Sequence, residues 1–552
     1  MVKNHVTPCE KSGLKKTASY NETITYYKNL CKHNPSLTLS YFGKSESGVR
    51  LPVVTLTDSS VNEKFVVLIQ NCIHPGEPEG NDATMMLVRE LLASENSSEL
   101  LRRLKIVIIP ILNVDGHKRT GKYNRINQKG PLFQGWRTNA RNLNLNRDYL
   151  KADSEEIKSF LKLITQLKPD IFVDNHTTNG LDYQYHITYS IEKEPVLSEV
   201  LSGFAHQSFL PYIQQRLTAA GFKHTHYIEL AGRELEDGLQ RIAGMPRFST
   251  GYMAIRNRIG LLVETHSLKP FDNRVASTLE INRAVIDFIS ENSHVIKKLN
   301  TLSEQKEEEK LINKKEEFAV DWIPSEQSVA ESFASVMHTS ALSDITGSEV
   351  KRYTAQPAEV MVPVYKEEKI ISEIRLPEYY LIPAAFREIH FLLKLHGFVA
   401  KKMPLKNRVI TRFRITSYAF ETKPYEGRFR LSDFTCLPEE KQWYEQGEYL
   451  AYSTKQNNPR ILGFLLDPRS PDSLFQWGFF NGIFERKEYA EDFVFEPIAK
   501  KMLKQNPLLR EEFLQLLEIE EFRNNPSERL DFFYKNSPYF DKREGIYPVF
   551  FL

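Results

Sequence analysis

The sequence predicts an α/β protein with a mixed, mainly parallel central sheet flanked by helices, followed by a smaller α+β region. Three observations carry this. The runs FVVLIQ (65–70), LKIVIIPIL (104–112), DIFVD (170–174) and GLLVE (260–264) are apolar without alternation. Such runs suit strands buried on both faces of a sheet. Helical patterns fall between them, so strand and helix alternate. Beyond about residue 325 the texture changes to alternating strands and aromatic-rich helical patterns.

The elements follow in order. SYNETITYYKNLCKHNP opens with a capping box, Ser19 with Glu22, and presents Ile24, Tyr27 and Leu30 on one helical face. LTLSYF and LPVVTL flank the turn GKSESG as a hairpin. EGNDATMMLVRELLAS precedes the second buried strand, and DSEEIKSFLKLITQLKPD carries an Asp153/Glu156 capping box before Pro169. A long helix, VASTLEINRAVIDFISENSHVIKKL, closes this part near residue 299. The predicted division is therefore an α/β domain over 1–300, a charged linker or helix over 301–325, and a C-terminal region over 326–552. That last region reads as strand-rich to about 465 and then helical, with SPDSLFQWGFF and REEFLQLLEIEEF as helical stretches. RFRITSY alternates as a half-exposed strand, and PAAFREIHFLLKLHG reads as a helix ending on Gly397.

Composition narrows the function. The 552 residues exceed one hydrophobic core, and 41% hydrophobic with 26% charged residues is ordinary for a globular chain. The net charge of +2 supplies no field for nucleic acid. No run reaches the roughly 18 apolar residues of a membrane span. The polar, basic opening MVKNHVTPCEKSGLKK has no apolar core of a secretory signal, which reads as cytoplasmic at face value. A signal removed beforehand leaves a periplasmic or secreted location open. Cys9, Cys31, Cys72 and Cys436 are scattered, so any metal here is held by histidine and carboxylate. Oligomeric state is not legible.

Open α/β sheets bind ligands at the carboxyl ends of their strands. His74 and Glu77 follow FVVLIQ, His176 follows DIFVD, and Glu264 ends GLLVE. The run RTNARNLNLNRDY comes after LKIVIIPIL. Every candidate thus lies on one sheet edge. Catalytic zinc takes three N and O ligands and keeps a fourth position for water, and His74, Glu77 and His176 supply that set. Glu264 on a neighbouring strand end is the natural general base. Arginines in the same run suit an oxyanion or a substrate carboxylate. Alone, each signal is weak: an isolated H-x-x-E is usually surface decoration, and a strand-end histidine is usually a loop hydrogen-bond partner. His186, His226 and His266 read as structural or as supports behind the site residues. Tyr183 and Tyr185 share a strand face and suit either cleft or core.

Together these residues resemble the M14 zinc carboxypeptidases, and most closely a bacterial branch with a C-terminal accessory region. The resemblance rests on IHPGEPEGNDA, GWRTNARNLNLNRDYLKAD, DNHTTNGLDYQY and RFSTGYMAIRNRIGLLVETHSLKPF, which cover 71–271. It implies a zinc carboxypeptidase-like fold, one zinc per chain, and His74, Glu77 and His176 as its ligands. Glu264 resembles the base that activates the attacking water. Asn146 and Arg147 resemble the pair that binds the terminal carboxylate of a peptide substrate. Arg137 resembles the oxyanion-stabilising arginine, with Arg141 the runner-up because spacing does not separate them. Tyr252 resembles the tyrosine that covers the substrate, at a shorter distance from Glu264 than in the digestive enzymes. One departure is Asn144, where those enzymes carry an aspartate beside a ligand histidine. An amide there accepts from the imidazole without adding charge and leaves the ligand less basic.

The implied activity is hydrolysis of the C-terminal peptide bond. A zinc amidase or deacylase of N-acyl amino acids or cell-wall peptides is the alternative. A non-catalytic binding module, using aromatics such as Trp443, Tyr444, Trp477 and Phe480, is a third reading. Core packing is the simpler role for those aromatics.

Overall fold

A computed structural model describes residues 5–443 and 447–552. Tyr444 lies outside the described residues. The first strands form the expected hairpin: helix α1 (Tyr20–Cys31), capped by Ser19 and Glu22, leads into β1 (Leu37–Lys44) and β2 (Arg50–Leu56), which pair antiparallel. The apolar runs then become β3 (Phe65–Asn71), β4 (Leu104–Ile109), β5 (Ile171–Thr177) and, after β6 (Ile187–Ile191) and β7 (His224–His226), β8 (Ile259–Thr265). The sheet order is β1-β2-β4-β3-β5-β8-β6-β7. Its centre, β4-β3-β5-β8, is parallel, whereas β6 runs antiparallel to β8. Parallel strands covered on both faces have no reason to alternate, which explains the unbroken apolar runs.

Helices α2 (Glu79–Ala93), α3 (Glu155–Leu167), α4 (Ser249–Ala254) and α5 (Phe271–Glu307) flank the sheet. Two local expectations shift. The cap of α3 is Ser154, accepting from Ile157 N, and not Asp153. Asp153 is drawn away by Lys151 and Arg428, and Glu156 turns to Asn139. The predicted linker at 301–325 is largely a continuation of α5. The helix runs unbroken through residue 300 to Glu307 and into a π-turn at Glu308–Asn313, where Leu311 and Ile312 are buried. These two residues, and the ion pair of Glu307 with Arg460, tie that end to later chain.

After α5 come β9 (Phe318–Pro324), the long hairpin β10 (Val329–Leu342) and β11 (Glu349–Tyr365), β12 (Glu368–Ile374) and β13 (Tyr379–Pro383). Helix α6 (Arg387–Leu395) ends just before Gly397, whose φ of +100° completes the turn. A second long hairpin, β14 (Val409–Phe420) and β15 (Leu431–Gln442), joins β13, β16 (Tyr449–Ser453) and the terminal β17 (Phe550–Phe551) in a five-stranded sheet. SPDSLFQWGFF is a chain of turns rather than a helix, yet Trp477 and Phe480 are core residues, as their apolarity suggested. Helices at Asp492–Gln505, Pro507–Leu517 and Pro526–Lys535 pack around a separate phenylalanine cluster. The main core is continuous from Leu68 and Ile108 through Tyr380, Phe464 and Tyr547, so the C-terminal region wraps the first sheet and shares its core.

One buried charge makes stability pH-dependent. Asp82, on α2, is 0% exposed and accepts from Ala18 N at 3.1 Å. Burial pushes its carboxyl up to about 7. A raised carboxyl favours folding fully below its unfolded value near 4, and that contribution is lost as pH rises through about 7. Asp82→Asn is therefore expected to gain clearly more stability relative to the parent at pH 8 than at pH 5. Urea unfolding at both pH values checks this; a pH-independent difference would remove Asp82 as the source.

Candidate active site

The metal-ligating candidates come together because three neighbouring parallel strands end on one edge. Beyond β3 the chain turns through His74-Pro75-Gly76-Glu77, closed by a hydrogen bond from Glu77 N to His74 O at 2.9 Å, and α2 starts at Glu79. Gly76 makes room here for Arg125, whose side chain would have to shift from a Cβ 2.5 Å away. His176, near the end of β5, is the register partner of Glu264 on β8.

His74 Nδ1 lies 3.3 Å and His176 Nδ1 3.1 Å from Glu77 Oε2, with all three residues buried. One donor atom from each falls within 4.8 Å of the others. The far ring nitrogens are also held. His74 Nε2 is 2.9 Å from Asn144 Oδ1, the amide singled out in the sequence. His176 Nε2 is 2.9 Å from Asp174 Oδ2 but not aligned as a hydrogen bond, so that contact acts chiefly through charge. The second oxygen of Glu77 faces Arg125 Nη2 at 2.9 Å and Arg137 Nη1 at 3.3 Å. Burial alone would raise the Glu77 carboxyl, but His74 and Arg125 hold it well below the usual range. Burial also opposes the charged form of His176, and Asp174 overrides it, raising that imidazole. At His74 burial wins and lowers the imidazole to about 4. Two imidazole nitrogens and one carboxylate oxygen, converging and backed from behind, fit a zinc ion.

Glu264 closes the other side of this group. It is buried, its Oε2 has no hydrogen-bond partner, and burial pushes its carboxyl up to about 8, with His176 opposing and Glu77 adding to the rise. An unpartnered buried carboxylate oxygen is costly and calls for a ligand or a proton.

The remaining candidates separate. Arg137 lines the same cleft, whereas Arg141 turns to Glu46 Oε1 at 3.4 Å and to the Asp153 carbonyl. Asn146 and Arg147 line the cleft on a short 3-10 turn (Leu145–Arg147). Asn144 Oδ1 accepts from Asn146 N at 3.1 Å, and Asn146 Oδ1 accepts from Ser249 N at 3.1 Å. The Arg147 guanidinium lies 4.4 Å over the Phe248 ring. Tyr252 is not brought to the cleft. It is 0% exposed on α4, with its hydroxyl 2.7 Å from His396 Nδ1 and accepting from Arg256 at 3.1 Å. The helix turns that face inward, where His396 satisfies the phenol. Tyr183 is likewise core, stacked on His266.

Two cleft residues, and the arginine behind Glu77, carried no sequence signal. Tyr227 lies in a short irregular stretch, and its phenol is pushed up by burial and by the charge of Glu264. Arg125 belongs to a loop without pattern. Glu192 follows β6 and lines the cleft well away from Glu264 in register: Thr188 opposes Glu264, Ser190 opposes Leu262, and Glu192 comes two residues later. At ~3.3 Å per residue that is about 13 Å along the sheet. Its carboxylate accepts from Thr250 Oγ1 and Gly244 N, both at 2.7 Å, and burial raises it. The cleft encloses about 230 Å³.

Residues 23–218 match the family model of peptidase M14, zinc carboxypeptidase. Carboxypeptidase 2 of Trichophyton rubrum is 24% identical over 477 residues, covering 82% of each chain. Carboxypeptidase 2 of Trichophyton equinum is 23% identical over 458 residues, covering 79% of each. A metallo-carboxypeptidase from Burkholderia cenocepacia aligns over 50% of this chain and 70% of its own, at 19% identity and a TM-score of 0.39. His74, Glu77 and His176 all lie within the stretch that is similar to the zinc carboxypeptidase family.

Proposed function

We propose that this protein is a zinc-dependent carboxypeptidase that releases the C-terminal residue of peptides, with His74, Glu77 and His176 holding one zinc ion. The observation that carries the reading is the unpartnered Glu264 carboxylate facing the His-Glu-His group inside one cleft. Zinc, when bound, supplies a Lewis acid that polarises a carbonyl and acidifies water. Glu264 takes the proton of the attacking water and returns it to the leaving amine. Arg137 stabilises charge on the carbonyl oxygen. Arg147, with Asn146, grips the free carboxylate, which selects the last peptide bond. Tyr227 takes the place over the substrate that Tyr252 does not reach.

The test combines metal analysis with a terminal-residue release assay on a peptide library, run beside amidated peptides and N-acyl amino acids. About one zinc per chain is expected, with release from free C-termini far faster than from amidated ones, loss on chelation and recovery with zinc. Turnover of N-acyl amino acids without peptide release would make the protein a deacylase. Zinc binding without any turnover would make it a binding module.

Glu192 sets the side-chain preference in this reading. A buried carboxylate at the far end of the cleft suits a cationic side chain, so peptides ending in Lys or Arg are expected to be preferred. Glu192→Gln keeps an acceptor for Gly244 and removes the charge. It is expected to lower kcat/KM for those peptides about 10- to 100-fold, the worth of one charge-assisted hydrogen bond. Peptides ending in Leu are expected to change little; an equal fall for both would reduce Glu192 to a structural staple.

A further inference from the structure

The turn between β14 and β15 reaches the site from about 280 residues away in sequence. Glu426 Oε2 accepts from Asn144 N at 2.8 Å, and the Tyr425 hydroxyl accepts from Arg147 Nε at 3.2 Å. Arg428 anchors the turn, with Nε and Nη2 on the two oxygens of Asp153 at 2.7 and 2.5 Å and its guanidinium 3.5 Å over the Phe479 ring. Tyr425 stacks on the fully buried Trp477 at 5.8 Å and 17°. The turn is itself tightly constrained. Gly427 has φ +78° with Leu143 against it, and Glu426 has φ +48°, a region non-glycine residues enter only at a cost. Strain of that kind persists where surrounding contacts over-determine it, and here those contacts are Asn144, Arg147 and Asp153.

The residues it holds are the two that matter most behind the cleft. Asn144 Oδ1 meets both His74 Nε2 and Asn146 N. Arg147 has Nε engaged by Tyr425 and one Nη1 hydrogen by the Asn146 carbonyl at 2.7 Å. One hydrogen on Nη1 and both on Nη2 are left, enough for a two-point grip on a carboxylate. We propose that Tyr425 and Glu426 of the C-terminal region are positioning residues of the active site, Tyr425 orienting Arg147 for the substrate carboxylate and Glu426 orienting Asn144 behind the metal-ligating His74. The C-terminal region is thereby a working part of the peptidase and not an appended module. The inference rests on the carboxypeptidase reading of the site.

The test uses the full chain with Tyr425→Phe, Glu426→Ala and Glu426→Gln. Tyr425→Phe keeps the stacking on Trp477 and loses one hydrogen bond. It is expected to raise KM for free-carboxylate peptides about three- to tenfold with kcat nearly unchanged. Glu426→Ala is expected to raise the zinc dissociation constant about tenfold in a chelator competition that needs no substrate, the usual scale for a partner behind a metal ligand. Glu426→Gln retains an acceptor and is expected to restore tight zinc. Unchanged KM in Tyr425→Phe together with parental zinc affinity in folded Glu426→Ala would overturn the proposal. If Glu426→Ala does not fold, Tyr425→Phe decides, and parental KM in that variant overturns the proposal. A parent chain that binds zinc yet releases no terminal residue would instead sink the carboxypeptidase reading, while the zinc competition still reports on Glu426.

Discussion

Glu264→Gln is expected to lower kcat about 10²- to 10⁴-fold, the usual contribution of a positioned general base, while zinc content stays at the parental level. The substitution is nearly isosteric, and Oε2 makes no hydrogen bond in the protein, so none is broken at that atom. The side chain sits on the last turn of register of β8, opposite Thr188 and His176, where strand pairing and not the carboxylate fixes the backbone. Folding therefore has no reason to fail, since burial already disfavours a charge at this position. The lost rate corresponds to roughly 3–5 kcal/mol at the barrier. Steady-state kinetics beside metal analysis and thermal unfolding separates the outcomes. Full activity would remove Glu264 from proton transfer, and loss of zinc would make it a structural support of the tripod.

How much of this was legible depends on how far each interaction reaches along the chain. His74, Glu77, His176 and Glu264 were readable because each sits at the end of an apolar run, and parallel strands put those ends on one edge. Asn144 was readable because it lies two residues before Asn146 in a recognisable run. Tyr252 was misplaced because the same run does not say which face of a two-turn helix looks inward. The deciding partner, His396, lies 144 residues later. Arg141 and Arg137 were inseparable by spacing, and only the neighbours Glu46 and Glu77 tell them apart. Asp153 looked like a helix cap until Arg428 took both of its oxygens. The charged stretch after residue 300 looked like a linker because mixed charge hides Leu311 and Ile312, the two positions that anchor it. Glu426 and Tyr425 had no signal, since a turn in one hairpin does not record which distant backbone it meets.

Arg147→Met is the second large effect: kcat/KM for peptides with a free C-terminal carboxylate is expected to fall about 10²- to 10⁴-fold. Two charge-assisted hydrogen bonds at about 1.5–3 kcal/mol each give that range. Methionine keeps an unbranched side chain beside Phe248, over which the guanidinium lies, and leaves the short turn at Leu145–Arg147 intact, so the change removes the guanidinium and little else. Amidated peptides never used the charge, and their slow turnover is expected to stay where it was. The ratio of free-acid to amide turnover should therefore collapse, and it should recover only in part in Arg147→Lys, whose point charge cannot reproduce the planar fork. The split between constants carries further information. A rise in KM alone means the carboxylate is gripped equally in ground and transition states; a matched fall in kcat means the grip also aligns the scissile bond. If the free-acid to amide ratio stayed at its parental value in Arg147→Met, the carboxylate would be read elsewhere, and Tyr425 would be orienting an arginine that the substrate never meets.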